Sequence, residues 1–221
     1  YQDDKGIVIN VKSLFSHYAV GLPGTVACMT HALSRWGSLP LAQVMAPSIA
    51  LAEKGYPVSV TLAKTLNQEK KNMGQWPATQ AIFWKNGAPL QTGDRLVQKD
   101  LAQSMRLISQ QGAKAFYQGS IAQKIAAEMA PHANAITLQD LRDYKPVERE
   151  PARGNYRGYQ IVTMPPPSSG GAHLLQILNM MERWPFKQWG ANSAQSVHYM
   201  TEAMRLAYAD RAEYLGDPDF V

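Results

Sequence analysis

The chain has 221 residues, 45% of them hydrophobic, with 22 lysines and arginines against 17 aspartates and glutamates and a net charge of +5. That is enough apolar material for a core, which excludes wholesale disorder, and the basic excess is spread without a stripe or an aromatic platform, which argues against nucleic-acid binding. The single cysteine, Cys28, excludes an internal disulfide framework and a cysteine-based zinc site, and no apolar run nears the ~18 residues of a membrane span.

The chain begins at Tyr1 without an initiator methionine or a signal-peptide pattern and is expected to be a segment of a longer protein, so a missing leader says nothing of localisation. Residues 1–20 read as polar and irregular. Gly21-Leu22-Pro23-Gly24-Thr25 punctuates the chain, with Thr25 a helix cap, and a helix is expected from about Val26 to Trp36. Pro40 suits the first turn of a second helix, whose stripe is Leu41, Val44, Met45, Ile49, Leu51 and Ala52, with a kink or short break at Pro47. A third helix follows from about Ser59. Gln75 to Lys85 reads as a short helix or strand closed by the turn Asn86-Gly87.

Residues 97–130 read as a helix pair interrupted at Gly112 and Gly119. Thr137 and Asp140 have the spacing of a capping box, opening a short helix that ends before Pro146. Glu148 to Met164 is the one strand region, where Tyr159, Ile161 and Thr163 alternate with Gln160 and Val162. Met164-Pro165-Pro166-Pro167-Ser168-Ser169-Gly170-Gly171 then forms a rigid corner into a helix. Ser193 caps a last helix with the stripe Val197, Met200, Ala203, Met204 and Ala207, which runs to about Tyr214 and stops at Gly216-Asp217-Pro218. There is no internal repeat. The fold class is α+β, helix-rich, with a minor sheet.

The chemistry legible in these residues is incomplete. Ser168, Ser169 and His173 have the types of a nucleophile and base, but a third orienting group and a G-x-S-x-G elbow are missing. A turn whose serines cap the helix and whose glycines permit close backbone approach fits better. Ser-Ser-Gly-Gly at a helix start also presents N–H groups to an anion, without the lysine of a P-loop. His17, His31, His132, His173 and His198 show no metal-ligand spacing, so no metal is expected. Asp210 and Arg211 have the types of site residues, but with Glu202, Glu213, Asp217 and Asp219 they fit better as ion pairs and end caps of the last helix. Cys28 reads as a buried small residue.

The segment from Met164 to Gly171, followed by Leu175-Gln176-Ile177-Leu178-Asn179, closely resembles the large subunit of γ-glutamyltranspeptidases, above all bacterial ones. Tyr208-Ala209-Asp210-Arg211-Ala212-Glu213-Tyr214-Leu215-Gly216-Asp217-Pro218 is similar to the same family, with Ala212 where serine is common. Gly24-Thr25-Val26 after Pro23, Pro47 with Leu51-Ala52 and Gly55, and Phe116-Tyr117-x-Gly119 are weaker matches in the same order. Together they span about residues 17 to 221.

The resemblance implies a precursor that cuts itself into a large and a small subunit, and a partial αββα sandwich of the N-terminal-nucleophile hydrolases. It implies a threonine at the small subunit's new N-terminus that attacks the γ-amide of glutathione or another γ-glutamyl compound. The γ-glutamyl group then passes to an amino acid, a peptide or water. Residues 1–221 are expected to be a single segment of the large subunit, partnered by the small subunit, periplasmic or secreted, and without a cofactor.

No catalytic or substrate-binding residue carries over. The nucleophile lies downstream of Pro218 and the arginine for the substrate carboxylate upstream, so Thr25, Thr137 and Thr201 are not nucleophiles. Pro166, Pro167, Ser168, Ser169, Gly170 and Gly171 are the family's structural joint and expected pocket neighbours. The isolated chain is expected to be inactive, with exposed sheet edges and apolar patches where its partner is missing. A β-lactam (cephalosporin) acylase on the same scaffold and a non-catalytic scaffold or binding domain are the rival readings.

Overall fold

Helices dominate the computed structural model, which describes residues 2–132, 135–217 and 219–220. They belong to two units, Tyr1–Pro146 and Val147–Val221.

The first unit begins with α1 (Asn10–Phe15) and a 3-10 turn at His17–Ala19, where an irregular segment was expected. No apolar stripe announces α1, and its Leu14 and Phe15 are exposed. Next come α2 (Thr25–Trp36) and α3 (Leu41–Lys54). Pro47 does not interrupt α3. A proline there removes one amide donor, and the turns on either side hold the helical path. Leu41, Met45 and Ile49 are half-buried and Ala52 is buried, whereas Val44 and Leu51 of the expected stripe are exposed.

Beyond α3 lie β1 (Tyr56–Pro57), α4 (Val60–Gln68), α5 (Lys70–Met73), α6 (Pro77–Phe83), β2 (Trp84–Lys85), β3 (Ala88–Pro89) and β4 (Arg95–Leu96). β1 pairs antiparallel with β4, and β2 with β3. Val58, Ala63, Leu66, Leu90 and Leu96 make a small core there.

The expected helix pair is three helices: α7 (Lys99–Gln111), α8 (Ala113–Tyr117) and α9 (Ser120–Met129). α7 packs along α3, where Arg106 pairs with Glu53 and the Gln98 amide donates to the Ala52 carbonyl at 2.8 Å. A 3-10 turn at Ala130–His132 and α10 (Leu138–Asp143) complete the unit. Thr137 and Asp140 form the expected capping box. Ala27, Tyr117, Ala122, Met129, Ile136 and Leu141 form the second core of this unit.

In the second unit the expected strand region is a hairpin. β5 (Ala152–Tyr156) pairs antiparallel with β6 (Tyr159–Thr163), from Ala152 opposite Thr163 to Tyr156 opposite Tyr159. Arg157 and Gly158 between them have φ of 49° and 84°. Two positive φ values in a two-residue loop give the turn whose twist matches the strands it joins. α11 (Ser169–Met181), α12 (Phe186–Trp189) and α13 (Ala194–Tyr214) follow, and α11 packs on both the hairpin and α13. On α13 the buried line is Ser196, Ala203 and Ala207, while Val197, Met200 and Met204 of the expected stripe are exposed. Pro218, expected to stop this helix, lies outside the described residues, as do Tyr1 and Val221.

Candidate functional site

The corner between β6 and α11 is built from backbone. Pro166–Pro167 is a cis peptide, and the chain turns there from strand into helix. Ser168 is the N-cap of α11, and its Oγ accepts the Gly170 amide at 3.3 Å. This satisfies one of the free donors of the first turn.

The two glycines do different work. Gly171 is buried with no room for a side chain. A Cβ on it would overlap the Met164 carbonyl oxygen and lie 2.9 Å from the carbonyl carbon. The residue that ends the strand region thus abuts the first turn of the helix. Gly170 is exposed, and a Cβ there would meet only Ser168 Oγ, at 3.4 Å. The expected close approach is therefore a property of Gly171 and not of Gly170.

His173 Nδ1 lies 2.6 Å from the Ser169 carbonyl oxygen, so this nitrogen carries the proton and donates to it. Ser168 Oγ and His173 are thus both engaged with main chain and do not form a nucleophile–base pair. His173 is buried, and its Nε2 has no hydrogen-bond partner among the described residues. The ring lies 5.8 Å from that of Tyr208 on α13.

Of the acids in or just after the last helix, Glu202 and Asp219 form ion pairs, and Asp210 and Asp217 accept hydrogen bonds. Gln176 on α11 donates its side-chain amide to Asp210. Arg205 Nη2 lies 2.8 Å from Glu202, whose carboxyl is held below the usual glutamate range by this hydrogen bond and charge. Arg149 pairs with Asp219 at 2.8 Å, and Asp217 accepts the Asp219 amide at 3.1 Å.

Cys28 is exposed, against expectation. Ala27 is the buried residue of α2, and the next position on a helix turns about a quarter of the way round, toward solvent.

Sequence reasoning missed the way α2 is capped. Thr25 is the first residue of the helix, the N-cap is Gly24, and Gly24 has no side chain to offer. The hydroxyl of Tyr117, on α8, supplies the function. It accepts the Ala27 amide at 3.1 Å and donates to the Pro23 carbonyl at 2.6 Å. Desolvation of the ring pushes the Tyr117 hydroxyl pKa above the usual tyrosine value. Tyr144 stacks on Tyr117 with centroids 5.6 Å apart. No local pattern reveals a cap supplied from about ninety residues away.

A cleft of about 820 Å³ lies beside these tyrosines, lined by His31, Tyr117, Tyr144, Lys114 and Arg142 among others. Another of about 510 Å³ lies between α11 and α13, lined by Gln176, Arg183, Trp184 and Glu202 among others. Neither is lined by the corner residues Pro166 to Gly171. Local spacing also gave no sign that His17 and His132 come together, as they do beside Glu128.

The family model for gamma-glutamyltranspeptidase matches residues 1–221. A glutathione hydrolase proenzyme of Escherichia coli is 49% identical over 224 residues, covering all of this chain and 38% of that protein. An acylase proenzyme, ACY 1, of a Pseudomonas species (strain SE83) is 41% identical over 203 residues, covering 92% of this chain and 36% of that protein. The crystal structure of Helicobacter pylori gamma-glutamyltranspeptidase superposes with a TM-score of 0.96 at 42% identity, covering all of this chain and 64% of that one. The chain thus spans well under half the length of these two proenzymes, and the helix-rich α+β fold expected from sequence is the one the solved enzyme has. On the match along its whole length, and on a fold shared with a solved member, this chain belongs to the gamma-glutamyltranspeptidase family.

Proposed function

We propose that residues 1–221 are a single segment of the large subunit of an enzyme that transfers or hydrolyses the γ-glutamyl group of glutathione and related compounds. The observation that carries this reading is the family match over every residue of the chain, together with 49% identity to a glutathione hydrolase proenzyme. The nucleophile is a threonine in the part of the parent protein that follows this chain, freed when the precursor cuts itself. Its own α-amine takes the hydroxyl proton as the oxygen attacks the γ-amide carbon. The α-amine passes that proton to the substrate's amide nitrogen as its bond to the γ-carbonyl carbon breaks, and the resulting acyl-enzyme gives its γ-glutamyl group to an amino acid, a peptide or water.

In this reading the chain contributes architecture. The corner from Pro166 to Gly171 neighbours the pocket and aims β6 and α11, and none of its residues acts on substrate. The small subunit is the chain's obligate partner. The exposed stripe of Val197, Met200 and Met204 on α13 fits that role, because apolar side chains in a row on one helix face call for a covering surface. The parent enzyme works in the periplasm or outside the cell and needs no cofactor.

An acylase acting on β-lactam side chains is the second reading, favoured by the 41% identity to an acylase proenzyme. Turnover of a γ-glutamyl anilide and of an acylated β-lactam by the processed parent protein separates the two. The first reading expects the anilide to be used and residues 1–221 alone to be inactive. Turnover by the isolated chain would place a nucleophile within it and overturn the assignment.

A further inference from the structure

Three donor side chains from distant parts of the sequence meet at one edge of the first unit. His17 stands in the 3-10 turn after α1, Glu128 in the last turn of α9, and His132 in the 3-10 turn that follows. His17 Nε2 lies 3.2 Å from Glu128 Oε1. The two imidazoles stack with centroids 3.5 Å apart and planes 8° from parallel. One donor atom from each of the three residues falls within 4.8 Å of the others. Trp76 stands edge-on to His17, with centroids 6.1 Å apart. Glu128 is exposed and the two histidines are half-buried, so the cluster is open to ions from solvent.

A cleft of about 500 Å³ lies between residues 14–20 and Trp76, Ala78 and Thr79. Leu14, Phe15, Tyr18 and Val20 are all exposed. The His17 contacts to Glu128 and His132 tie this segment to the end of α9.

Two imidazole nitrogens and one carboxylate oxygen are a borderline-soft donor set. Zn²⁺ takes such a set as three protein ligands and fills its fourth position with water. Magnesium and calcium prefer all-oxygen cages. We propose that His17, Glu128 and His132 bind a zinc-type divalent transition ion that fastens the N-terminal segment to the end of α9. Stacked rings hold their in-plane lone pairs in nearly parallel planes, which do not meet at one ion. Closing on one ion turns one imidazole about its Cβ–Cγ bond, and His132, partly exposed in a short turn, is the ring that moves. Binding through His17 Nε2 needs the tautomer whose single proton sits on Nδ1; the proton moves there by exchange with solvent, and the ion takes the place of the hydrogen bond to Glu128.

The test uses the full parent protein, tag removed and stripped with a chelator, titrated with Zn²⁺ by calorimetry. His17→Gln, Glu128→Gln and His132→Gln are measured beside it, with circular dichroism to verify that each is folded. Outer-shell partners of metal sites are already worth ~10-fold or more in affinity, so loss of either histidine is expected to weaken one equivalent of binding by at least that factor. Glu128→Gln should weaken the same equivalent. Zn²⁺ should also raise the unfolding midpoint of the parent protein and not that of His132→Gln, with Mg²⁺ raising neither. Equal zinc uptake by the parent protein and both histidine variants would overturn the assignment, as would a Mg²⁺ response that matches zinc.

Discussion

Replacing Gly171 by alanine asks whether the corner is held by backbone contact. Elsewhere in a helix this change is favourable by roughly 0.5–1 kcal/mol, because glycine loses more freedom on folding. Here the new Cβ would overlap the Met164 carbonyl oxygen and lie 2.9 Å from its carbon and 3.1 Å from Thr163 Cγ2. Carbon atoms settle at ~3.5–4.0 Å, so the strand end and the helix start must separate by more than about half an ångström. Neither obstacle at Met164 is a side-chain end that can swing away; both belong to the main chain. Overpacking of this kind costs typically ~1–3 kcal/mol, occasionally more, and the helix gain offsets only part of it. The expected outcome is a loss of roughly 2 kcal/mol, read as a lower urea midpoint of the parent protein at unchanged slope. Gly170→Ala is the internal control, because its Cβ meets only Ser168 Oγ at an ordinary distance. It is expected to be neutral or slightly stabilising. If Gly171→Ala were as stable as Gly170→Ala, the close approach of Met164 to α11 would not be the feature that fixes the corner.

Three further outcomes follow from the same geometry. Tyr117→Phe removes the group that caps α2 and leaves the Ala27 amide and Pro23 carbonyl without it; the expected cost is ~1–3 kcal/mol for a buried group left unpaired, and an unchanged unfolding midpoint would refute it. Asp140 receives hydrogen bonds from the Thr137 hydroxyl and amide, which hold its carboxyl below the usual aspartate range. A group whose folded value is depressed stabilises fully above its ordinary value near ~3.9 and loses that contribution as pH falls through the folded value. The stability gap between the parent protein and Asp140→Ala should therefore be present at neutral pH and close below about pH 4; a constant gap would show that the box is not charge-assisted. Met204→Glu puts a charge in the exposed stripe of α13, and it should weaken association of the two processed subunits, measured by gel filtration, if that stripe is covered by the partner.

Features set by neighbours in sequence were legible from sequence. The capping box at Thr137 and Asp140 and the Ser168 and Ser193 caps depend on three or four adjacent residues, the close approach at Gly171 on residues one short turn back, and local spacing carries them. Features set by distant partners were not. Tyr117 reaches α2 from a helix far along the chain, and His17 meets His132 only once the N-terminal segment lies against α9. Apolar periodicity located α13 and put Ala203 and Ala207 on its buried face, but Val197, Met200 and Met204 of the same stripe are exposed. The buried positions on this helix are the small Ser196, Ala203 and Ala207, and α13 packs on α11. α1 had no periodic signal, because both large apolar residues at its end are exposed. For the site, the resemblance put the expected nucleophile beyond the chain, and within the corner Ser168 Oγ and His173 Nδ1 are engaged with main chain.

Treating the processed parent protein with a glutamine-mimicking electrophile and mapping the adduct by mass spectrometry tests the assignment most directly. The account predicts one adduct, on the N-terminal threonine of the small subunit, and none within residues 1–221. An adduct on Ser168 or Ser169 would contradict it.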